Sequence, residues 1–248
     1  MHDLVGQQRT SAAHAGRRSR VNESITDPAF VFFHLAKNGG GSITWFLRPI
    51  RDTWYHAGHR ETLPGLAARF PNAPIVFFVR HPVSRFVSGF YNLHRARSQG
   101  VRRLPTAADT IGFHLFPTPN DLLDGLRSDD DWTRSAAEYA INNLPFLRNP
   151  LVNNLVSTDT VDAHLPQIAF IGTQENFEAS VEAMRTVLSL PSTLSLTTHE
   201  RKSHRSPASL RTAISDENRE VLLNWYRDDL VLYEHCVRIH ERQMERFS

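Results

Sequence analysis

Apolar positions in this chain fall into two patterns: short unbroken runs, and longer stretches in which apolar residues recur every three or four positions. Phe30 to His34 reads FVFFH and Ala73 to Val79 reads APIVFFV. Runs of this length without polar alternation predict strands buried on both faces, the second of them at the centre of a sheet. Gln167 to Gly172 predicts a further strand. Helical spacing covers Ser42 to Arg48, stopped near Pro49, and Glu61 to Phe70. Pro82 suits the first turn of another helix, on which Val83, Phe86, Val87, Phe90 and Tyr91 share a face. Residues 118–148 read as interrupted helix, Phe177 to Leu188 as a helix with Phe177, Val181, Met184 and Leu188 inward, and Ser215 to Phe247 as long helical patterning. Strand and helix alternate, so the predicted class is α/β: a central parallel sheet flanked by helices on both faces. Ligands of such sheets sit at the carboxyl ends of the strands.

The chain shows no repeat of 20 to 50 residues and no low-complexity linker, so one compact body is expected over 28–248. Residues 1–27 are set apart. They carry Arg9, Arg17, Arg18 and Arg20 among Gly, Ser, Ala and Gln, with few large apolar side chains to offset ordering entropy. A disordered tail is the simplest reading; a nucleic-acid or membrane-surface arm, or an organellar address, is the alternative. No apolar run reaches the ~18–20 residues of a membrane-spanning helix, and the first segment lacks the apolar centre of a secretory signal, so a cytoplasmic protein without an integral membrane segment is expected. With 28 basic and 26 acidic residues the net charge is +2, which does not indicate a general polyanion-binding role, although local clusters still count; for the body of the chain no nucleic-acid partner is expected. The single cysteine, Cys236, cannot close an internal disulfide and reads as a buried helix residue rather than a reactive thiol.

Composition draws attention to one loop. All but two of the 28 basic residues are arginine, and the two lysines are Lys37 and Lys202. Lys37 follows the first strand directly and precedes Gly39, Gly40, Gly41 and Ser42. Glycines there allow a sharp turn with N–H groups aimed at an anion, the helix beginning near Ser42 adds its positive end, and Lys37 adds a compact full charge. An ordinary glycine turn is the bland alternative. The loop is not G-x-x-x-x-G-K-[ST], because its lysine comes before the glycines. A second strand end supplies Arg80, with Ser88 eight positions later on the following helix. Together they offer a charged fork and a neutral donor to one phosphate, although an arginine at a strand end can equally pair with a carboxylate.

Taken in order, the two segments resemble the sulfotransferases that use 3'-phosphoadenosine 5'-phosphosulfate (PAPS), especially the branch containing the heparan sulfate 2-O- and 6-O-sulfotransferases. That branch's first signature is H-x-P-K-T-G-G-T-S; here residues 34–42 read His34-Leu35-Ala36-Lys37-Asn38-Gly39-Gly40-Gly41-Ser42. Its second, R-[DH]-P-x-x-R-x-x-S, is matched by Arg80-His81-Pro82-Val83-Ser84-Arg85-Phe86-Val87-Ser88. Residues 170–177 (FIGTQENF) are similar to the family's strand–turn–helix segment, where Glu175 reads as structural, and Asp228 to Tyr233 is similar to its last-helix D-x-x-L-Y, read as packing. Arg201-Lys202-Ser203-His204-Arg205 resembles a K-S-H loop that folds over the cofactor. Ala36, Asn38 and Gly41 depart from the signature, where proline and two threonines are usual; Ser42, Asn38 and backbone amides are the available substitutes for the lost hydroxyls.

The resemblance implies a P-loop NTPase-like three-layer fold and in-line transfer of a sulfuryl group from PAPS to an acceptor hydroxyl, without metal or covalent enzyme intermediate. Cofactor contacts are then expected from Lys37, Asn38, Gly39, Gly40, Gly41, Ser42, Arg80, Ser88, Lys202 and Ser203. Lys37 also suits the charge that develops on the departing bisphosphate. For the base, Trp54-Tyr55-His56-Ala57-Gly58-His59 resembles the H-G-H segment of the 2-O-sulfotransferases, which points to His59, with His56 in reserve and Glu61 third. His94, Arg95, Arg97, Arg102 and Arg103 either hold an acidic glycan acceptor or form a solvated charged face. A P-loop kinase or NTPase using ATP and magnesium, and a non-catalytic nucleotide-binding protein on the same fold, are the alternatives. The sequence does not specify the acceptor or the oligomeric state.

Overall fold

A computed structural model describes residues 25–98, 106–148, 150–196 and 213–247. The Arg-rich N-terminal segment through residue 24 lies outside them, as do Lys202 and Ser203. Four strands form one all-parallel sheet: β1 (Phe30–Phe33), β2 (Trp54–Ala57), β3 (Ile75–Val79) and β4 (Ile168–Thr173), in the order β2-β1-β3-β4. The register aligns Phe33 with Ala57 on one side and with Phe77 on the other, and Val79 with Thr173. β1 and β3 are the interior strands. All residues of both are buried, which is what their unbroken apolar runs anticipate.

Period-2 alternation sorts the side chains onto two faces. Val31, Phe33, Ile75, Phe77 and Ile171 pack with Tyr55, Leu66 and the C-terminal helix residues Leu232, Cys236 and Ile239. Phe30, Phe32, Val76, Phe78 and Phe170 pack on the other face with Ile43, Phe46, Val181 and Met184. The helices that cover these faces are α1 (Gly40–Phe46), α2 (Leu63–Arg69), α9 (Phe177–Val187) and α11 (Arg227–Met244). A third apolar cluster joins α3 (Pro82–Ser98), α4 (Ala107–Leu115), α5 (Pro119–Leu126) and α6 (Asp131–Asn143) to Leu222 of α10 (Asp216–Trp225) and to Tyr226. Two short helices, α7 (Val152–Leu155) and α8 (Thr158–Ala163), lead into β4. Cys236 is buried, and burial together with nearby Asp162 pushes its thiol up to about 12, so it remains protonated and inert.

The sequence pattern places every element except β2, α4, α7 and α8. β2 is an edge strand of four residues, one of them a histidine, and so carries too little apolar length to register as a strand. His56 thus lies within a strand and His59 in the loop that follows it. α1 begins at Gly40, two residues earlier than Ser42, because Gly39 is its N-cap.

One polar interaction crosses the core. Arg85 of α3 forms a buried ion pair with Asp229 of α11, whose other oxygen accepts from the Val152 N–H at 3.2 Å, while the Arg85 guanidinium lies 5.3 Å from the Tyr226 ring centroid. The second signature thus serves two purposes. Arg85 and Asp229 bind α3 to α11, while Ser84, Ser88 and Tyr91 on the neighbouring flank of α3 line the cavity.

Candidate active site

The strand order reverses between β1 and β3, since β2 follows β1 to one side and β3 returns to the other. Ligands of open parallel sheets bind in the crevice beyond the carboxyl ends at such a switch point. Here that crevice is a cavity of about 1330 Å³. Lys37, Gly39, Gly40, Gly41, Ser42, His59, Arg80 and Ser88 all line it, together with His34, Tyr91, Asn92 and Phe146. Two residues expected at the site do not take part. The Asn38 side chain is buried at 1 % exposure and donates back to the Ala36 carbonyl at 2.9 Å, and its backbone N–H is directed to Leu35, so it does not replace a signature threonine hydroxyl. His56 sits behind His34 and is absent from the lining.

The phosphate-cradle loop folds as it does because two glycines have no alternative. Gly39 has φ +85°, and a Cβ there would lie 2.4 Å from Gln174 Oε1 and 2.9 Å from Phe177. At Gly40 a Cβ would meet the His34 ring at 1.8 Å. That ring is fixed from behind by a 2.9 Å hydrogen bond between its Nδ1 and His56 Nε2. Gly40→Ala is therefore expected to destabilise the protein by about 1–3 kcal/mol through overpacking and to weaken anion binding. Gly58→Ala, where a Cβ meets nothing within 4 Å, should be near neutral in the same urea melts.

Lys37 occupies a left-handed backbone conformation with φ +65°. Burial, then the charges of Arg80 and Arg95, bring its ammonium down to about 8. These cations are close enough to repel one another, and an anion between them would relieve that repulsion. Arg80 leaves β3 with its Nε donating to Ser84 Oγ at 2.9 Å, and Ser84 Oγ in turn donates to the His81 carbonyl at 3.1 Å. Glu175 accepts from the His81 N–H at 2.9 Å and so ties the turn after β4 to the Arg80 loop, which is a structural role. On α3, Ser84, Ser88 and Tyr91 follow helical spacing along the cavity-facing side.

Three histidines meet at the ends of β1 and β2. The ring centroids of His34 and His59 are 4.5 Å apart, and those of His34 and His56 are 5.2 Å apart. His59 Nδ1 lies 2.7 Å from the His34 carbonyl oxygen, which can only accept. The proton therefore resides on Nδ1, so that in the neutral ring Nε2 is the nitrogen with the lone pair. Asn154, itself buried, donates to the carbonyls of His59 at 3.1 Å and Glu61 at 2.8 Å and anchors this loop from α7. Glu61 is spent on the same loop, accepting from the Gly58 N–H at 2.6 Å and from the Tyr55 hydroxyl at 3.1 Å. Burial first, then His59, His56 and Lys37, hold His34 well below the usual histidine range; burial and His59 lower His56. Both stay neutral at physiological pH.

Sequence reasoning did not nominate His34, Tyr91, Asn92, Phe146 or Asn154. His34 heads the first signature and was open to notice; the rest come from segments with no motif and reach the site only through packing. Of the basic cluster, His94, Arg95 and Arg97 belong to the last turns of α3; Arg95 acts on Lys37, while Arg102, Arg103 and the Arg97 side chain lie outside the described residues. No helix among the described residues is long and apolar enough to cross a membrane, and no group of metal-ligating side chains occurs among them.

No curated protein matches the chain. A family match does exist, and it runs over residues 59–235, more than two thirds of the chain, taking in His59, the Arg80–Ser88 signature and the Arg85–Asp229 pair. The Lys37 loop precedes the matched region and is joined to it by the shared cavity and by the β1–β3 pairing. Parallel sheet, switch-point crevice and family match agree, and the chain belongs to the sulfotransferase family.

Proposed function

We propose that the protein moves a sulfuryl group from PAPS to a hydroxyl of a glycan or other small acceptor, by in-line transfer with His59 as general base. The observation that carries this reading is that one cavity is lined at once by Lys37, Arg80, Ser88 and His59. The glycine loop suits a phosphate, because Gly39, Gly40 and Gly41 line the cavity at the start of α1 with backbone that carries no side chain of its own. Lys37, Ser42 and the backbone of Gly39, Gly40 and Gly41 take the 5'-phosphosulfate end, while Arg80 and Ser88 take the 3'-phosphate.

The donor supplies a sulfuryl group already activated by its bond to phosphate; the chain's residues do the rest. His59 Nε2 accepts the proton of the acceptor hydroxyl, and its Nδ1–H, held on the His34 carbonyl, keeps the ring in the tautomer that can do so. Lys37 meets the negative charge that grows on the departing bisphosphate, where an ammonium desolvated by burial gains most. Neutral His34 completes the wall between the two without adding charge. The experiment is radiolabelled sulfate transfer from PAPS to a panel of glycan and small hydroxyl acceptors in the presence of a chelator. Label transferred to at least one acceptor supports the reading; no transfer to any acceptor, with PAPS left intact, opposes it.

A further inference from the structure

Two residues at this site hold backbone conformations that their side chains disfavour, and they face each other. Lys37 has φ +65° and Phe146 has φ +71°. A bulky residue at positive φ is a conformational outlier, and such outliers persist where the surroundings over-determine them. At Phe146 the cause is a tight turn: Leu147 N–H donates to the Leu144 carbonyl at 3.1 Å, Pro145 takes the second position, and Phe146 takes the third, where a type II turn calls for glycine. The turn is held on both sides. The Tyr226 hydroxyl donates to the Leu147 carbonyl at 2.8 Å, and Gly89 of α3 lets the Phe146 backbone lie close against the helix, its own absent Cβ falling 3.4 Å from the Phe146 Cβ.

Phenylalanine at a glycine position is a local conflict, and its reward lies in the cavity. The Lys37 ammonium sits 5.4 Å from the Phe146 ring centroid, within range of a cation–π contact. The His59 ring meets the same phenyl edge-on, with centroids 6.2 Å apart and planes at 88°. No other aromatic ring among the described residues is recorded over Lys37.

Resting on the proposed transfer reaction, we propose that Phe146 is a positioning residue: its ring face holds the Lys37 ammonium and the same ring packs perpendicular to His59, so that one strained side chain sets the gap between the cation that meets the donor's phosphate and the base that meets the acceptor. The charged and titratable groups that otherwise face Lys37 are Arg80 at the end of β3, Arg95 of α3 and His34 at the end of β1, each of them cationic or neutral. Among the described residues the aromatic face is therefore the attractive contact seen for the ammonium.

The test replaces Phe146 by phenylalanines carrying one, two or three ring fluorines, which drain the ring's negative face while almost preserving its size, with Phe146→Leu and Phe146→Tyr as end points. Calorimetry of adenosine 3',5'-bisphosphate is run at pH values on either side of about 8, where Lys37 titrates. Affinity should fall stepwise with fluorine number, by about two- to thirty-fold over the series, and its decline with pH should begin at lower pH. Phe146→Tyr should restore both. A purely packing role would leave the isosteric series flat, and a flat series with wild-type binding intact overturns the inference even if Phe146→Leu fails to fold. Wild-type protein that binds no bisphosphate overturns the proposed function, and this inference with it.

Discussion

Replacing His59 by alanine is expected to lower turnover with PAPS by about 10²–10⁴-fold, the range that a positioned general base contributes, while bisphosphate affinity changes little. The split follows from geometry. His59 Nδ1 is fixed on the His34 carbonyl and its loop is anchored by Asn154, so removing the ring takes away a lone pair at the acceptor side without touching Lys37, Arg80 or Ser88. His34 cannot take over: its Nδ1 is bonded to His56, and burial keeps it a weak base. His56 does not line the cavity. Steady-state kinetics paired with bisphosphate titration read the two effects separately, and near-normal turnover by the alanine variant would reject His59.

Lys37→Met carries the second large effect, and its signs oppose one another. Turnover should fall by about 10²–10³-fold, as for loss of one preorganised group facing developing charge. Stability should rise. The folded-state value of Lys37, about 8, lies below the 10.5 of an exposed lysine, so folding disfavours the charged form. That disadvantage, on the order of 3 kcal/mol, is fully present below pH 8 and fades as pH rises from about 8 to 10.5, where the lysine is neutral in both states. Thermal melts near pH 7 should therefore show the methionine variant several degrees above wild type, with the advantage gone near pH 10.5. The same titration governs binding: bisphosphate affinity of the wild type is level below about pH 8 and declines above it, and the decline disappears in the variant.

Much of this was legible in the chain because a few residues have only one workable environment. The apolar runs of β1 and β3 could be nothing but interior strands, and they fixed the sheet on which both loops sit. A lysine and three glycines directly after a buried strand pointed to an anion cradle for the same reason. What stayed hidden depends on three-dimensional closure. Asn38 looked like a stand-in for a hydroxyl, but the turn directs its amide inward to Ala36. Phe146 belongs to a stretch without signature, and its importance comes from a turn that brings it against residues more than 85 positions away in sequence, His59 among them. Arg85 and Asp229 are 144 residues apart, and neither announces the other.

The central claim is that Lys37, Arg80 and Ser88 grip the two phosphorylated ends of one adenine nucleotide. Calorimetric titration of the full chain with adenosine 3',5'-bisphosphate in the presence of a chelator tests it most directly. Saturable one-to-one binding that needs no metal, and that weakens sharply in Arg80→Ala and Ser88→Ala as well as in Lys37→Met, is the expected result. Binding of ATP only with magnesium, or of neither nucleotide, would contradict it.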